Sequence, residues 1–286
     1  MEKGTLILEG GASRGVFTAG VIDYLMDKEL YFSHVVGVSA GACCSVDYLS
    51  KQRGRTKKCM IPMNKSLNYY HSIPQLFRKR SLIDMELIFE VMPKEIYPFD
   101  FETFFDSEMS CEIVTTNCIT GKAEYMTERK DEERLLKMIR ASCSLPLISP
   151  IVKIDGIPYM DGGMADSIPL ERGTSYGNEK IVVVLTKDKG YYKKPIPKRL
   201  AQIYHRKYHS YPNFVQAIMN RERVYNETMR RVEELGEEGK IFVIRPQVKL
   251  IAQMERNKQQ MEKFYEHGYQ LMEEEFERLM EYLKVP

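Results

Sequence analysis

The first part of the chain alternates short apolar runs with segments that have the apolar spacing of helices. Thr5–Leu8 is an apolar run that ends before Gly10-Gly11, which predicts a buried strand entering a tight turn. Apolar residues then recur at spacings of three and four over Val16–Leu25, as in an amphipathic helix. A second apolar run, Val35–Val38, leads into the small-residue segment Ala40–Val46, which predicts another strand and helix. Strands alternating with helices through short turns indicate an α/β fold with a mostly parallel sheet.

The pattern changes in the middle of the chain. Residues 51–109 are polar, and we expect them to be loop-rich, forming either a solvated surface or a lid over a site. They contain two basic clusters: Lys51, Arg53, Arg55, Lys57 and Lys58, and then Arg78-Lys79-Arg80. Further on, the patterns predict five strands and one helix: Cys111–Thr116, Ala123–Met126, Ile151–Ile154, Ile157–Met160 and Ile181–Leu185, with a helix at Glu132–Ala141. The continuous β-branched run at 181–185 predicts a strand near the centre of the sheet.

Residues 187–212 are basic, rich in tyrosine and interrupted by prolines, and we place a domain boundary at about residue 190. The prediction is an α/β domain over 1–190 and a mainly helical extension over 191–286. In the extension we predict a helix at Asn213–Leu235, a strand at Ile241–Ile244 and a helix at Ala252–Leu283. The last helix has an apolar face that we expect to pack on its own domain. The alternative is a homo-oligomer in which this helix face packs against the same helix of a second copy of the chain.

Composition excludes several classes of protein. With 43% hydrophobic and 29% charged residues and a formal charge of +2, the chain is ordinary for a globular protein and implies no strongly charged partner. The start, MEKGTLILEGG, lacks the basic flank and long apolar stretch of a secretory signal, and Val35–Val46 is about half the ~20 residues of a membrane-spanning helix. We therefore expect a cytoplasmic protein. The six cysteines include no C-x-x-C pair, so we expect reduced, mostly buried thiols and no zinc site.

Candidate chemistry centres on Gly37-Val38-Ser39-Ala40-Gly41, a G-x-S-x-G sequence between a predicted strand and a predicted helix. Such a sharp turn projects the serine hydroxyl at the carboxyl edge of the sheet, and the glycines allow the strained backbone and the approach of a substrate. The pentapeptide and its setting predict a nucleophile at Ser39. The alternative is a serine that serves only the turn.

A serine hydroxyl needs a base to take its proton. His34 lies five residues before Ser39 on the same predicted strand, about 16 Å away at about 3.3 Å per residue. We interpret it and the other histidines, His71, His205, His209 and His267, as surface residues. Asp161, by contrast, ends a predicted strand and is followed by Gly162-Gly163, which leave room around its carboxylate. Partial burial would raise its pKa towards the working range of a base. Its alternative role is that of a turn or cap residue.

The turn Gly10-Gly11-Ala12-Ser13-Arg14-Gly15 follows the first predicted strand. In a parallel sheet it opens on the same edge as Ser39, so the backbone amides of Gly11 and Ala12 could face an oxyanion. Dinucleotide binding is the rival interpretation, but it requires an acidic residue at the end of the second strand, where this chain has Val38-Ser39. Arg14 could bind an anionic head group or pair with an acidic residue such as Glu9, and we favour the structural pairing.

Taken in order, Gly10–Gly15, Gly37–Gly41 and Asp161-Gly162-Gly163 resemble the patatin-like phospholipase family, and residues 141–170 resemble its segment leading to the catalytic aspartate. The resemblance covers about residues 4–186. It implies a three-layer α/β/α sheet and a Ser–Asp dyad hydrolase that cleaves lipid acyl esters without metal or cofactor. By the same resemblance, Ser39 is the nucleophile, Asp161 the base and the Gly10–Ala12 backbone the oxyanion hole. Many members have glycine where this chain has Ala12, and some bacterial members carry an extension like that beyond residue 190.

Three alternatives remain beside a phospholipase or lysophospholipase. An α/β-hydrolase with a Ser-His-Asp triad also uses G-x-S-x-G, but its elbow follows several earlier strands. A catalytically idle lipid-binding or scaffolding protein would not need both Ser39 and Asp161. The basic, tyrosine-rich residues 187–212 suit a solvated face, an anionic membrane surface or nucleic acid. For a lipid-cleaving protein, peripheral contact of these basic segments with a membrane fits better than nucleic-acid binding does. We therefore expect no nucleic-acid partner.

Overall fold

The computed structural model describes residues 1–62, 67, 69–71, 78–79 and 81–284. Eight strands in this part of the chain form one sheet: β1 (Glu2–Leu8), β2 (Phe32–Val38), β3 (Ser110–Asn117), β4 (Ala123–Met126), β5 (Val152–Ile154), β6 (Ile157–Asp161), β7 (Lys180–Val184) and β8 (Phe242–Ile244). The strand order is β5-β6-β3-β2-β1-β7-β8, and β4 pairs separately with β3.

The middle of the sheet is parallel and one end is antiparallel. Strands β3, β2, β1, β7 and β8 are parallel neighbours, so their carboxyl ends share one edge. Strand β6 is antiparallel to both β3 and β5. The register aligns Val38 with Val114 and Asp161 with Thr115, while β4 pairs with these same two β3 residues from the other side. Ser39 and Asp161 are therefore at the same level on one side of β3, where β6 continues beyond the end of β2.

Helices cover both faces of the sheet. They are α1 (Gly15–Asp27), α2 (Ala40–Leu49), α3 (Arg55–Met60), the π-helical α4 (Leu87–Ile96), α5 (Phe101–Asp106), α6 (Glu132–Ser142), α7 (Leu170–Ser175), α8 (Lys198–Lys207), α9 (Pro212–Glu237) and α10 (Lys258–Lys284). Because side chains alternate along a strand, Leu6 and Leu8 of β1 pack in the core with α1 and α10, whereas Ile7 packs in the core with α7 and α9. The fold is the three-layer α/β/α arrangement that the sequence predicts.

The C-terminal part of the chain shares the sheet and the core with the rest. Strand β8 pairs with β7, and α10 lies along α1. The hydroxyls of Tyr265 and Tyr269 donate to Asp23 at 2.7 Å and Asp27 at 2.8 Å. The predicted packing of the last helix on its own chain is thus observed, and the boundary near residue 190 stays a prediction. Among the described residues, none of the helices is both long and apolar enough to span a membrane.

The predicted strands and helices form, and two other predictions need correction. The stretch 51–109 is not simply loop-rich, because it contains α3, α4 and α5. Of its second basic cluster, Arg78 and Lys79 are helical and Arg80 lies outside the described residues. The strand at 181–185 is not at the centre of the sheet: β8 follows it, and β2 occupies the middle.

Candidate active site

Ser39 stands at the sharp turn between β2 and α2, with φ 55° and ψ −121°. A serine in this sparsely populated conformation costs of order 1–3 kcal/mol and is typical of a nucleophile elbow. The flanking glycines have no space for side chains. A Cβ at Gly37 would lie 2.5 Å from the Gly41 carbonyl oxygen, and one at Gly41 would lie 2.3 Å from that of Leu8. The G-x-S-x-G pattern therefore reflects close backbone packing around Ser39.

The elbow is supported by a second serine that sequence reasoning missed. The Ser39 N–H donates to the hydroxyl of Ser142 at 2.8 Å, and that hydroxyl donates to the Val114 carbonyl at 2.6 Å. Ser142 ends α6 and is completely buried. Ser142 falls within residues 141–170, a segment that contributes to the family resemblance, but nothing in its local sequence marks it as a partner of Ser39.

Asp161 ends β6 and is 2% exposed. Its Oδ1 accepts the Gly163 N–H at 2.8 Å, while its Oδ2 is buried without a well-formed hydrogen bond to any described residue. Burial raises the pKa of Asp161, although Arg221, the nearby Ser39 hydroxyl and the Gly163 N–H lower it in part. The structure thus brings Ser39 and Asp161 together, and it gives the carboxyl group an environment suited to accepting a proton.

The turn after β1 lies against the elbow, as expected. A Cβ at Gly10 would be 3.0 Å from the Ser39 Cβ. Among the described residues, the backbone N–H groups of Gly10, Gly11 and Ala12 donate to no protein acceptor. Ala12 has a φ of 49°, so the alanine adopts the left-handed conformation that glycine would take more easily. Free amides beside a serine can stabilise an oxyanion.

Arg14 and Glu9 do not pair with each other. The Arg14 Nε donates to the Ile251 carbonyl at 2.8 Å, which is a structural role with a different partner from the one expected. The buried Glu9 instead accepts from the Thr186 N–H at 2.6 Å and the Tyr225 hydroxyl at 3.0 Å, and lies 3.5 Å from Lys187 Nζ. Burial raises the pKa of Glu9, but Lys187 and the Thr186 hydrogen bonds outweigh that effect and the pKa is lowered.

His34 is at the opposite end of β2 from Ser39, as predicted, but it is not a surface residue. Its ring is fully buried, stacks 3.5 Å from the Tyr176 ring and places Nε2 3.3 Å from Glu112. The prediction was wrong because these two partners come from distant parts of the chain. Among the described residues that line the two cavities at Ser39, there is no histidine.

A mainly apolar cavity of about 370 Å³ opens at Ser39. Its walls come from α2, α3, α4, α6 and α10, and include Cys43, Met60, Phe89, Ile139, Cys143 and Met261. The thiols of Cys43 and Cys143 are 3.7 Å apart, and the six cysteines are all free, as expected. A cavity with this lining can hold a hydrocarbon chain.

Ser39 also lines a second, polar cavity of about 40 Å³. Asp161 and the Gly10–Ala12 turn line it, together with three basic side chains: Lys187, Lys193 and Arg221. Lys193 belongs to the basic segment recognised in the sequence. Arg221 lies within α9, where no sequence pattern separates it from the other arginines of that helix. Ser39 thus lines both an apolar and a cationic cavity.

Fold and site together define an α/β protein with a serine elbow, a neighbouring buried carboxyl group and free backbone amides. The model of the patatin-like phospholipase family matches residues 6–172, and the chain belongs to this family. A second model, described as a domain of unknown function (DUF6363), matches residues 211–284.

Two curated relatives each match slightly less than two thirds of the chain. The uncharacterized protein YjjU of Escherichia coli K12 is 30% identical over 186 residues, which are 63% of this chain and 51% of YjjU. The probable lipid hydrolase 463L of Invertebrate iridescent virus 6 is 26% identical over 190 residues, 62% of this chain and 65% of 463L. The matches thus span about half of one relative and under two thirds of the other.

Among solved structures, VipD from Legionella pneumophila has the same fold. The TM-score is 0.50 at 13% identity, over 99% of this chain and 66% of VipD. At this level of identity the match concerns the fold alone.

Proposed function

We propose that the protein is a serine hydrolase of lipid acyl esters, of the phospholipase or lysophospholipase type. The observation that carries the proposal is the placement of Ser39 and Asp161 at one level of the sheet, beside amides that have no protein acceptor. Membership of the patatin-like phospholipase family supports a lipid substrate.

In the proposed reaction, Asp161 takes the proton of the Ser39 hydroxyl as the serine oxygen attacks the acyl carbonyl carbon. The carbonyl oxygen becomes negative and accepts hydrogen bonds from amides of the Gly10–Ala12 turn. The ester C–O bond then breaks, the alcohol leaves with the proton held by Asp161, and the acyl group stays on Ser39. Water, deprotonated by Asp161, attacks the carbonyl carbon of this acyl-enzyme, the bond to the Ser39 oxygen breaks, and Asp161 returns the proton to Ser39 as the fatty acid is released.

The two cavities give the substrate a direction. The acyl chain would occupy the apolar cavity next to Cys43 and Cys143, where burial of its methylene groups contributes about 0.8 kcal/mol each. The alcohol would then leave through the polar cavity that Asp161 lines. Peripheral contact of the basic segments with an anionic membrane surface remains a proposal consistent with such a substrate.

Labelling with a fluorophosphonate probe, together with release of fatty acid from lysophospholipid micelles, tests this function. We expect the parent protein to be labelled and active, and Ser39→Ala to lose both properties. Asp161→Asn should reduce hydrolysis by about 10²–10⁴-fold, the usual contribution of a general base. Ser33→Ala, at the other end of β2, is the matched control and should behave like the parent.

A catalytically idle lipid-binding protein would give different results. It would show neither labelling nor fatty-acid release while folded and while still binding lipid. Equal hydrolysis by Ser39→Ala and the parent would also contradict the proposal.

A further inference from the structure

The polar cavity beside Ser39 has more positive than negative charge. Lys187 is compensated by Glu9, from which its Nζ is 3.5 Å away. Asp161 supplies one further carboxyl group. The cavity also contains two further cations, Lys193 and Arg221, and neither forms an ion pair with a described acidic residue.

The contacts of these two residues leave their charged atoms available to a ligand. Lys193 Nζ lies 3.8 Å from the centre of the Tyr225 ring, and this cation–π contact positions the ammonium group without neutralising it. Arg221 donates through Nε to the Gly163 carbonyl at 2.5 Å. Within the described structure its two terminal nitrogens have no hydrogen-bond acceptor. Both side chains are only partly exposed, so solvent screens them less than it would on an open surface.

We propose that Lys193 and Arg221 form a subsite for the phosphate of a lipid headgroup. The inference rests on the proposed hydrolase function, because it uses the direction that the two cavities give the substrate. With the acyl chain in the apolar cavity and the carbonyl at Ser39, the alcohol portion enters the polar cavity. A cavity of about 40 Å³ is about three times the 10–15 Å³ that one water needs, so it has room for a phosphate group and not for a second acyl chain. An arginine and a lysine are the donors that bind phosphate oxygens most strongly.

The protonation of Lys193 supports this assignment. Burial lowers the pKa of Lys193 to about 7, together with the positive charges of Arg221, Lys187 and Arg14. The negative charge of Glu9 acts in the opposite direction. Tyr191 and Tyr225 face the same ammonium group through their rings. A bound anion would compensate the crowded positive charges, so Lys193 is expected to bind phosphate when protonated and to lose that contribution as pH rises through its pKa.

The test is direct binding to Ser39→Ala protein, which does not depend on turnover. The ligands are lysophosphatidylglycerol, whose phosphate diester keeps one negative charge from pH 6 to 8.5, and a monoacylglycerol with the same chain. We expect lysophosphatidylglycerol to bind at least tenfold more tightly at pH 6. Adding Lys193→Gln or Arg221→Gln should reduce that preference by about 10- to 100-fold, the range for a charge-assisted hydrogen bond. Lys194→Gln, which removes the exposed neighbouring lysine, is the control and should keep the preference.

Binding should also depend on pH in a specific way. Between pH 6 and 8.5, the affinity for lysophosphatidylglycerol should fall in the Ser39→Ala protein, and the fall should be clearly smaller when Lys193→Gln is added, the remaining change being due to Asp161 in the same cavity. Equal affinity for the two lipids, or an unchanged preference in both cation variants, would overturn the subsite. Selective binding by a protein that releases no fatty acid would instead overturn the hydrolase proposal and with it the assignment of the bound phosphate to a substrate.

Discussion

The backbone N–H of Ser39 is hydrogen-bonded at 2.8 Å to the hydroxyl of Ser142, a residue 103 positions later in the chain. Because that hydroxyl also donates to the Val114 carbonyl, one buried side chain ties α6 and β3 to the strained elbow. The Ser39 N–H is therefore occupied by the protein. The donors that remain for an oxyanion include those of the Gly10–Ala12 turn.

Ser142→Ala should destabilise the protein and impair hydrolysis. A buried N–H left without an acceptor costs about 1–3 kcal/mol. The elbow would also lose the contact that fixes the position of Ser39. Urea unfolding and ester hydrolysis measure the two effects. Ser144→Ala removes only a local bond to the Arg140 carbonyl and serves as the control. If Ser142→Ala matched this control in both measurements, the supporting role would be wrong.

Asp161→Asn should make the protein more stable at neutral pH while reducing its activity. Burial raises the pKa of Asp161 above its ordinary 3.8, so the folded protein binds the proton more tightly than the unfolded chain does. Ionisation of Asp161 therefore lowers the free energy of unfolding of the parent protein. This loss is absent below pH 3.8 and complete above the folded pKa.

The measurement is the free energy of unfolding of both proteins between pH 3.5 and 7.5. The stability advantage of Asp161→Asn should increase with pH. A variant that is less stable than the parent throughout this range would contradict the raised pKa.

The sequence predicted the parts of the site that follow from local constraints. A glycine-flanked serine after an apolar run, and a glycine-rich turn after another, show where two strands end, and parallel neighbours bring those ends to one edge. Asp161 reaches the same edge by a route that this argument did not foresee, because β6 is antiparallel to β3. The pairing of Thr115 with Asp161 nevertheless places the carboxyl group at the level of Ser39.

Partners distant along the chain explain what the sequence did not predict. Apolar periodicity shows which residues are buried on a strand but not which strands are neighbours, so the position of β7 depends on its pairing with β8. The basic run at 51–58 was compatible with a solvated surface or a lid, and nothing in it predicted that Arg55 forms an ion pair at 2.8 Å with the buried Asp47. Arg221 approaches Gly163 only because α9 packs against the turn Gly162–Met164 that follows β6.

Glu9→Gln should be strongly destabilising. It would leave the ammonium of Lys187, which is 4% exposed, without its counter-charge, and breaking a buried pair in this way costs about 3–5 kcal/mol. The folded pKa of Glu9 is below its ordinary 4.5. Its contribution is therefore complete at neutral pH and is lost as pH falls through the folded pKa.

Chemical denaturation of Glu9→Gln, Lys187→Met and the double variant measures the coupling between Glu9 and Lys187. The double variant should be more stable than Glu9→Gln alone, since it no longer buries an uncompensated charge. Additive single effects would show that the two side chains do not interact.

Gly20→Ala and Gly268→Ala should each separate α10 from α1. A Cβ at Gly20 would lie 2.2 Å from the Tyr265 carbonyl oxygen, and one at Gly268 would lie 2.2 Å from that of Phe17. The two backbones touch at these glycines, so an added methyl group must move one helix, at a cost of about 1–3 kcal/mol or more. Thermal unfolding should therefore begin at a lower temperature in both variants. Gly236→Ala is the matched control, because its Cβ would meet only a Val243 methyl group at 3.3 Å. If α10 were a weakly attached appendage, all three variants would unfold at the temperature of the parent.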